Sequence, residues 1–342
     1  MILRPKPSPH HHVPLAAVPS TVPFTTVPAW LRRAVPDAQS LAGKGVGLNA
    51  LEDVALAAGA AIGALDAVVR RQERWAGAWR QRLALSAGAV TAKQAGRVED
   101  EGALRDAVLL TRPGDDVGPA GGMLLGWRRL ATWPVEDLLS EKNLAAMLEE
   151  FGHAPNDEAV SDLADELGRL SAGGMVGMLT GTFMAAERHG FGRAVGAWLA
   201  DALLAQRLGW AHAMPLLGAE AALGASARPR RAAASSVATS TETDRERAKS
   251  LLAAQAGAAL RAIDLSAEFG RRAEKLLAVA PKLRAKAADA VVDKLLSDDA
   301  IVASEKVAGM SGRGLRRLFD RLVELGAVRE LSGRPTFRIY GL

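Results

Sequence analysis

Arginines near the carboxyl-terminal end of this chain have the spacing that contacts with phosphate or guanine require. Arg313, Arg317 and Arg321 follow one another at intervals of four residues, and Arg316 lies beside them, so a helix would align their guanidinium groups. From Ile301 onward, eight Lys or Arg residues oppose four Asp or Glu residues. Neutralisation of phosphates by such side chains gives non-specific affinity for DNA, and bidentate contacts with guanine add discrimination.

These arginines belong to a segment with the element order of a winged helix-turn-helix. A short helix and a turn are expected between Ile301 and Ser311, followed by a longer basic helix. Ser311 is placed to cap that helix and Gly326 to end it. Its apolar residues recur at intervals of three and four and are Leu315, Leu318, Phe319, Leu322 and Leu325. Val328 to Leu331 and Thr336 to Tyr340 then alternate as the strands of a hairpin wing.

The hairpin would add two further arginines to the same surface. Arg334 lies in its turn, at the expected tip of the wing, and Arg338 follows on the second strand. In that strand Phe337 and Ile339 are expected to pack, while Arg338 and Tyr340 face solvent. The residues that we predict to contact DNA are Ser311, Arg313, Arg316, Arg317, Arg321, Arg334 and Arg338. A winged helix can also dock on proteins, so an adaptor that never meets DNA is an alternative.

A second group of polar residues, between Trp75 and Trp127, could in principle do acid–base chemistry. Its carboxylates Glu101, Asp106 and Asp115 occur close to several arginines, which makes an enzyme a less favoured alternative. No spacing here matches a metal motif, and no phosphate-binding loop, dinucleotide fingerprint or nucleophile elbow occurs. We therefore interpret these residues as ion pairs between packed helices. We expect no enzyme activity, no catalytic residue, no cofactor and no metal.

Composition favours a mainly α fold. The chain has 342 residues, of which 49% are hydrophobic but only 4% aromatic, so small side chains must fill much of the core. Valine, isoleucine and aromatic residues, which a β-rich core needs, are too few. There is no cysteine, which excludes disulfides and thiolate sites, and the net charge of +5 favours polyanionic partners. No apolar run reaches the roughly 18 to 20 residues of a spanning helix, so we expect no membrane contact and a cytoplasmic location.

Changes in composition divide the chain into five parts. Residues 1–40 hold eight of the sixteen prolines and are expected to form a disordered tail. Residues 45–223 would form a helical body, 224–243 a flexible basic linker, 244–284 a connecting helix, and 285–342 the winged helix. Periodic apolar residues predict body helices near 51–69, 76–96, 99–110, 123–132, 135–151, 157–171, 174–188 and 193–210.

Two motifs resemble a catalogued family of proteins. The run WAGAWRQRLAL from Trp75 to Leu85, continuing to Arg112-Pro113-Gly114-Asp115-Asp116, and the tail from Leu315 to Leu342 are similar to the bacterial domain of unknown function 1403. The resemblance covers most of the chain after the proline-rich tail and implies a proteobacterial protein, but it carries no activity. The closing segment is also similar to winged helices of bacterial regulators, which supports the fold more than a function.

The residues together predict a mainly α protein: a multi-helix body that bears a carboxyl-terminal winged helix-turn-helix with a small β-hairpin wing. The function expected from this arrangement is DNA binding, in transcription regulation. The helical body is expected to form a homodimer or to bind a protein partner.

Overall fold

The computed structural model of the chain is mainly helical, with a small antiparallel sheet near the carboxyl-terminal end. The structure describes residues 27–37, 50–112, 114–220, 237–283, 285, 287–333 and 336–342. The α-helices of these residues are α1 (Ala29–Ala34), α2 (Leu51–Val69), α3 (Ala76–Gln94), α4 (Glu101–Leu109), α5 (Gly118–Thr132), α6 (Val135–Leu138), α7 (Glu141–Glu150), α8 (Asp157–Ser171), α9 (Met175–Arg188), α10 (Gly192–Leu208), α11 (Val237–Val279), α12 (Ala288–Ser297) and α13 (Gly312–Glu324). The strands are β1 (Ile301–Val302), β2 (Arg329–Glu330) and β3 (Ile339–Gly341).

The body is held together by helix pairs that approach closely through small residues. α11 packs along α2, α3 packs on α5, and α9 packs on α10. Alanines fill the contact between α11 and α2, because Ala57, Ala58 and Ala61 on one helix and Ala253 and Ala254 on the other are all buried. Since the distance between helix axes depends on the side chains at the contact, this composition favours close packing of helices.

The predicted proline-rich tail contains a short helix that contacts the body. Within residues 1–40, α1 places Leu31 in the core with an exposed fraction of 2%. Beside it, Arg32 donates two hydrogen bonds to Asp264, at 2.9 and 2.6 Å. This helix lies within the segment predicted to be a disordered tail, and the burial of Leu31 together with the Arg32–Asp264 ion pair attaches it to the body. The rest of the predicted tail, residues 1–26 and 38–40, lies outside the described residues.

Two predicted segment boundaries differ from the structure. The run 135–151 forms two helices, α6 and α7, because the Ser140 hydroxyl donates to the Asp137 carbonyl oxygen at 2.9 Å and competes with the helical hydrogen bonds. The long helix α11 begins at Val237, so residues 237–243 of the predicted linker are helical. They include neither proline nor glycine, and nothing in them breaks a helix. Residues 224–236 of the linker lie outside the described residues.

The long helix α11 has 43 residues, which corresponds to about 65 Å at 1.5 Å per residue. That length exceeds the thickness of a bilayer, but charged residues such as Arg261, Asp264 and Arg271 interrupt its apolar positions. Across the described ranges, no helix combines the length and the apolar character that crossing a membrane requires.

The carboxyl-terminal segment packs two helices and a three-stranded sheet together. The strand order is β1-β3-β2, and both pairings are antiparallel, with Ile301 opposite Tyr340 and Glu330 opposite Tyr340. The short helix predicted between Ile301 and Ser311 does not form, since that run begins with β1 and continues in turns. Gly309, with a φ of 79°, holds a backbone conformation that a helix does not permit.

The alternation predicted for the last strand is wrong at two positions. Phe337 was expected to pack but is 65% exposed, and Tyr340 was expected to face solvent but is 2% exposed. Phe337 precedes β3 and has a φ of 59°, which lies outside the strand conformation, so it does not follow the alternation of the strand. Within β3 both faces are covered, since Ile339, Tyr340 and Gly341 are all buried and the Tyr340 ring stacks on Phe319. A period of two holds only for a strand that is solvated on one face.

Candidate nucleic-acid interface

The basic helix α13 is anchored by its apolar side. Leu315, Leu318, Phe319 and Leu322 are all buried, as their spacing predicts, whereas Leu325, the fifth residue of the predicted stripe, is 38% exposed. The Phe319 ring stacks on that of Tyr340, with centroids 4.3 Å apart and planes inclined by 5°. The helix is thereby fixed against the central strand, and its opposite side is turned outward.

The opposite side of α13 is exposed and carries the four predicted arginines. Arg313, Arg316, Arg317 and Arg321 all lie at the surface, and none of them is covered by the body. Of these, Arg316 donates from Nε to the Gly312 carbonyl oxygen of the preceding turn, at 3.2 Å. The structure therefore brings the predicted arginines of this helix together on one accessible face.

Acidic residues divide this face into two halves. Asp320 and Glu324 are both exposed and lie in the carboxyl-terminal half of α13. Arg321 donates to Glu324 at 2.7 Å, and Arg338 approaches Asp320 at 3.8 Å. The amino-terminal half contains three arginines and no carboxylate. The positive end of the helix dipole lies in the same half, so this half of the face attracts anions more strongly than the other half.

Ser311 is the N-cap of α13, as its position in the sequence predicts. Its hydroxyl accepts a hydrogen bond from the backbone N–H of Gly314 at 3.1 Å. Gly326 follows the end of the helix with a φ of 64°, which a glycine adopts without penalty. The Ser311 side chain is exposed and is engaged as the helix cap.

Two further arginines, Arg338 and Arg334, are predicted for the wing. Arg338 is exposed, and hydrogen bonding with Tyr340 raises the pKa of its guanidinium. Arg334, predicted at the tip of the wing, lies outside the described residues. Lys306, which the sequence did not single out as a contact residue, is also exposed in the turn before α13.

A buried carboxylate connects this segment to the body. Asp299, whose side chain is 0% exposed, accepts a hydrogen bond from Arg105 Nε at 2.9 Å and another from Arg82. Burial alone would raise the pKa of the Asp299 carboxyl, but the two guanidinium groups outweigh burial and hold that pKa below its usual value. These contacts connect the segment that carries α13 to α3 and α4 of the body.

Other residues of the WAGAWRQRLAL motif complete this junction. A Cβ atom on Gly77 would lie 2.6 Å from the backbone oxygen of Ser297, so only glycine lets α3 approach α12 this closely. Arg80 donates from Nε to the Ala131 carbonyl oxygen at 2.8 Å, and burial lowers its pKa to about 10. Arg128, close to Asp298 and Asp299, also has a pKa lowered by burial. The sequence did not identify Asp299, because nothing local in it indicates a partner so distant along the chain.

Of the three carboxylates of the alternative enzyme site, Glu101 and Asp106 lie on α4, and Asp115 lies in the loop that follows it. Glu101 accepts a hydrogen bond from the Ser86 hydroxyl at 2.5 Å, while Asp115 is exposed in the loop before α5. In that loop, Asp116 accepts from the Gly118 backbone N–H at 2.7 Å. Among the residues that the structure describes, no group of three or more His, Asp or Glu side chains could hold a metal ion.

Comparison with known proteins gives a family and no activity. A family model described as a protein of unknown function, DUF1403, matches residues 19–342. No curated protein matches the chain.

Proposed function

Because this chain belongs to the DUF1403 family, whose description assigns no activity, its geometry must suggest its role, and we propose that it binds DNA as a regulator. In this proposal residues 288–342 act as a winged helix. α12, β1, α13 and the hairpin of β2 and β3 follow one another in the order of that module. Turns occupy the place of its second helix.

The single observation that carries the proposal is the exposed, acid-free amino-terminal half of α13. Recognition helices of this class contact base edges with their amino-terminal residues. Arg313, Arg316 and Arg317 occupy that half, and no carboxylate among the described residues pairs with them. Guanidinium groups that are not already paired can bind phosphate or guanine without first breaking an ion pair.

The wing would contact the duplex backbone beside the helix. Arg338 is exposed and contacts Asp320 only at 3.8 Å, a distance at which an exposed pair adds little stability. Arg338 is therefore available to exchange this carboxylate for a phosphate. Lys306 would add a phosphate contact before the helix.

The test is binding of a mixed-sequence duplex, measured by fluorescence anisotropy over a series of salt concentrations. The logarithm of affinity should fall linearly with the logarithm of salt concentration, because each neutralised phosphate contributes about 0.9 to the slope. Replacing Arg316 and Arg317 by alanine should reduce that slope by about 1 to 2 and weaken binding at least about tenfold. Both side chains are exposed, so the double variant should remain folded.

A matched control removes the same charge elsewhere. Arg97 and Arg169 are exposed on the body, and their double alanine variant has the same net charge as the Arg316/Arg317 variant. The control should retain most of the duplex affinity. Equal losses in both variants would mean attraction by net charge alone, and no duplex binding by the wild type at low salt would end the proposal.

A protein-docking role is a second candidate, and exposed apolar residues of the same segment favour it. Phe337 is 65% exposed, and Val323 and Leu325 are 39% and 38% exposed. Aromatic side chains of this kind are common anchors of protein interfaces. This role predicts self-association, measured by sedimentation, that is lost on Phe337→Ser and unaffected by Arg316/Arg317→Ala. If the protein binds DNA, Arg316/Arg317→Ala should weaken duplex binding and Phe337→Ser should leave it unchanged.

A further inference from the structure

One side of the body helix α2 is exposed from end to end. The other side is buried against α11, where Ala57, Ala58 and Ala61 make the contact. Six exposed residues recur at intervals of three or four, which places them along one side of a helix. They form what we call the α2 stripe: Glu52, Leu56, Gly59, Gly63, Ala67 and the C-cap residue Arg70.

The middle of the α2 stripe is apolar and open. Leu56 is 73% exposed. Nothing in the described part of the chain lies within 4 Å of the position that a Cβ atom would take on Gly59 or Gly63. Glycine inside a helix is less stable than alanine, and no contact within the described chain requires it here. Close approach of another helix is a physical reason for glycine at such positions, because it leaves the backbone uncovered.

The charges at the two ends of the α2 stripe are opposite. Glu52, at the amino-terminal end, has a side chain that is 72% exposed, and the side chain of Arg70, at the other end, is 57% exposed. Position 61 lies midway between Glu52 and Arg70, and it also lies midway between Gly59 and Gly63. The stripe therefore complements itself when a second copy is turned end to end, since Glu52 then faces Arg70 and Gly59 faces Gly63.

The contacts that Glu52 and Arg70 make within the chain leave them able to pair again. Glu52 accepts from Arg245 at 3.3 Å, an exposed pair of a kind that contributes little stability. Arg70 donates to Asp66 at 2.8 Å and to the Leu208 carbonyl oxygen at 2.7 Å. A guanidinium group has five N–H donors, so Arg70 can contact a further carboxylate while it keeps these two bonds.

We propose that the α2 stripe is the contact surface of a homodimer, in which α2 packs antiparallel on α2 of a second copy of this chain. Leu56 of each copy would fit beside Gly63 and Ala67 of the other, and each Glu52 would pair with Arg70 across the contact. The antiparallel arrangement also brings opposite ends of the two helix dipoles together.

The size of the surface sets the strength expected of the dimer. From Glu52 to Arg70 the α2 stripe is about 27 Å long at 1.5 Å per residue. Two single helices of this length bury less than the about 1,600 Å² of a standard interface, so the association should be reversible and depend on concentration. The inference is independent of DNA binding, because no residue of α13 contributes to it.

The test is sedimentation velocity of the full-length protein over a series of concentrations. The wild type should change from monomer to dimer as its concentration rises. Gly63→Gln should weaken the dimer at least about tenfold, because the added side chain holds the two helices apart. The same change should raise the melting temperature of the chain, since glutamine favours a helix over glycine and the position is open. Unfolding would then not explain a loss of the dimer.

The control for Gly63 is Gly168→Gln. Gly168 is exposed inside α8, and nothing lies within 4 Å of its Cβ position either. This variant should also melt at a higher temperature, but it should keep the wild-type dimer. An equal loss of the dimer in both glutamine variants overturns the proposal, as does a wild type that stays monomeric at every concentration.

The antiparallel orientation has a test of its own. Glu52→Arg should weaken the dimer, because an arginine then faces Arg70 at both ends of the contact. In a parallel dimer Glu52 would face Glu52, and the same change would replace one repulsion by another. The control is Glu158→Arg, which changes the net charge equally at the exposed second residue of α8 and should leave the dimer intact. Unchanged association of Glu52→Arg overturns the antiparallel contact.

A dimer formed through the carboxyl-terminal segment is the competing arrangement. It would be lost in Phe337→Ser and kept in Gly63→Gln, and that result also overturns the proposal. The α2 contact predicts the reverse: association is kept in Phe337→Ser and in Arg316/Arg317→Ala. A protein that dimerises in this way but binds no duplex contradicts the proposed function and leaves the α2 contact supported.

Discussion

Asp299 accepts a hydrogen bond from Arg105 Nε at 2.9 Å across 194 positions of the chain, and so joins the carboxyl-terminal segment to α4 of the body. Arg82 of α3 contacts the other carboxylate oxygen. One buried carboxylate thus binds two helices of the body. The Asp299 side chain is 0% exposed, and the Arg82 and Arg105 side chains are 14% and 9% exposed.

Replacing the Asp299 carboxylate should lower the free energy of unfolding substantially. Asp299→Asn leaves Arg82 and Arg105 without a countercharge at a buried site, and breaking such a pair costs about 3 to 5 kcal/mol. The matched control is Asp293→Asn, which removes an exposed pair with Arg74 at 2.9 Å and should cost at most about 1 kcal/mol. The free energy of unfolding in urea measures both. Equal costs would show that the buried position gives Asp299 no special role.

The Asp299 carboxylate should also make the free energy of unfolding depend on pH in the acidic range. Its pKa is lower in the folded chain than the usual value of about 3.9, so the folded state releases its proton more readily than the unfolded state. Its contribution is therefore present above pH about 4 and is lost as the pH falls through the folded pKa. The difference in unfolding free energy between wild type and Asp299→Asn should shrink between pH 6 and about pH 3. A constant difference would contradict the assignment.

Asp201 should show the opposite dependence. It is fully buried in α10, where its carboxylate accepts from the backbone N–H groups of Leu216 and Leu217 at 2.7 and 3.0 Å. Burial raises its pKa well above the usual value, so the folded state holds its proton more tightly. Stability should fall as the pH rises from about 4 towards the folded pKa. Asp201→Asn, which keeps an acceptor oxygen but does not titrate, should gain stability relative to wild type across that window. If the unfolding free energies of wild type and Asp201→Asn changed in parallel with pH, the raised pKa of Asp201 would be refuted.

Gly77 should not tolerate a side chain. A Cβ atom there would lie 2.6 Å from the Ser297 backbone oxygen, so Gly77→Ala must push α3 away from α12, at a cost of about 1 to 3 kcal/mol. Gly63, in the exposed interior of α2, is the control because nothing lies within 4 Å of its Cβ position. Gly63→Ala should stabilise the chain by about 0.5 to 1 kcal/mol. Thermal unfolding distinguishes the two, and a stabilising Gly77→Ala would refute the close approach.

Ser311 allows helix capping to be separated from DNA contact. Ser311→Ala removes the acceptor for the Gly314 N–H and should cost about 1 kcal/mol. Ser311→Asp keeps an acceptor, so it should unfold like the wild type, but its negative charge beside the arginine face should weaken duplex binding. Duplex affinity and unfolding measured on both variants provide the comparison. Unchanged duplex affinity in Ser311→Asp would place the amino-terminal end of α13 away from DNA.

The sequence by itself determined the helix α13 and its two faces. The cap at Ser311, the end at Gly326 and the buried set Leu315, Leu318 and Leu322 all depend on contacts within a few residues. The spacing of residue types along the chain indicates such short-range contacts, because a helix has the same period wherever it lies in the fold. The helical body was predictable for the same reason.

Tertiary structure decided which residues support that helix. Asp299 meets Arg82 across 217 positions, and Tyr340 is buried because its ring stacks on Phe319 of α13. No local pattern encodes such pairings, because ion pairs and strand neighbours are chosen by packing between distant segments. The arginine face could be predicted from spacing alone, whereas the junction exists only once the carboxyl-terminal segment has packed on α3 and α4.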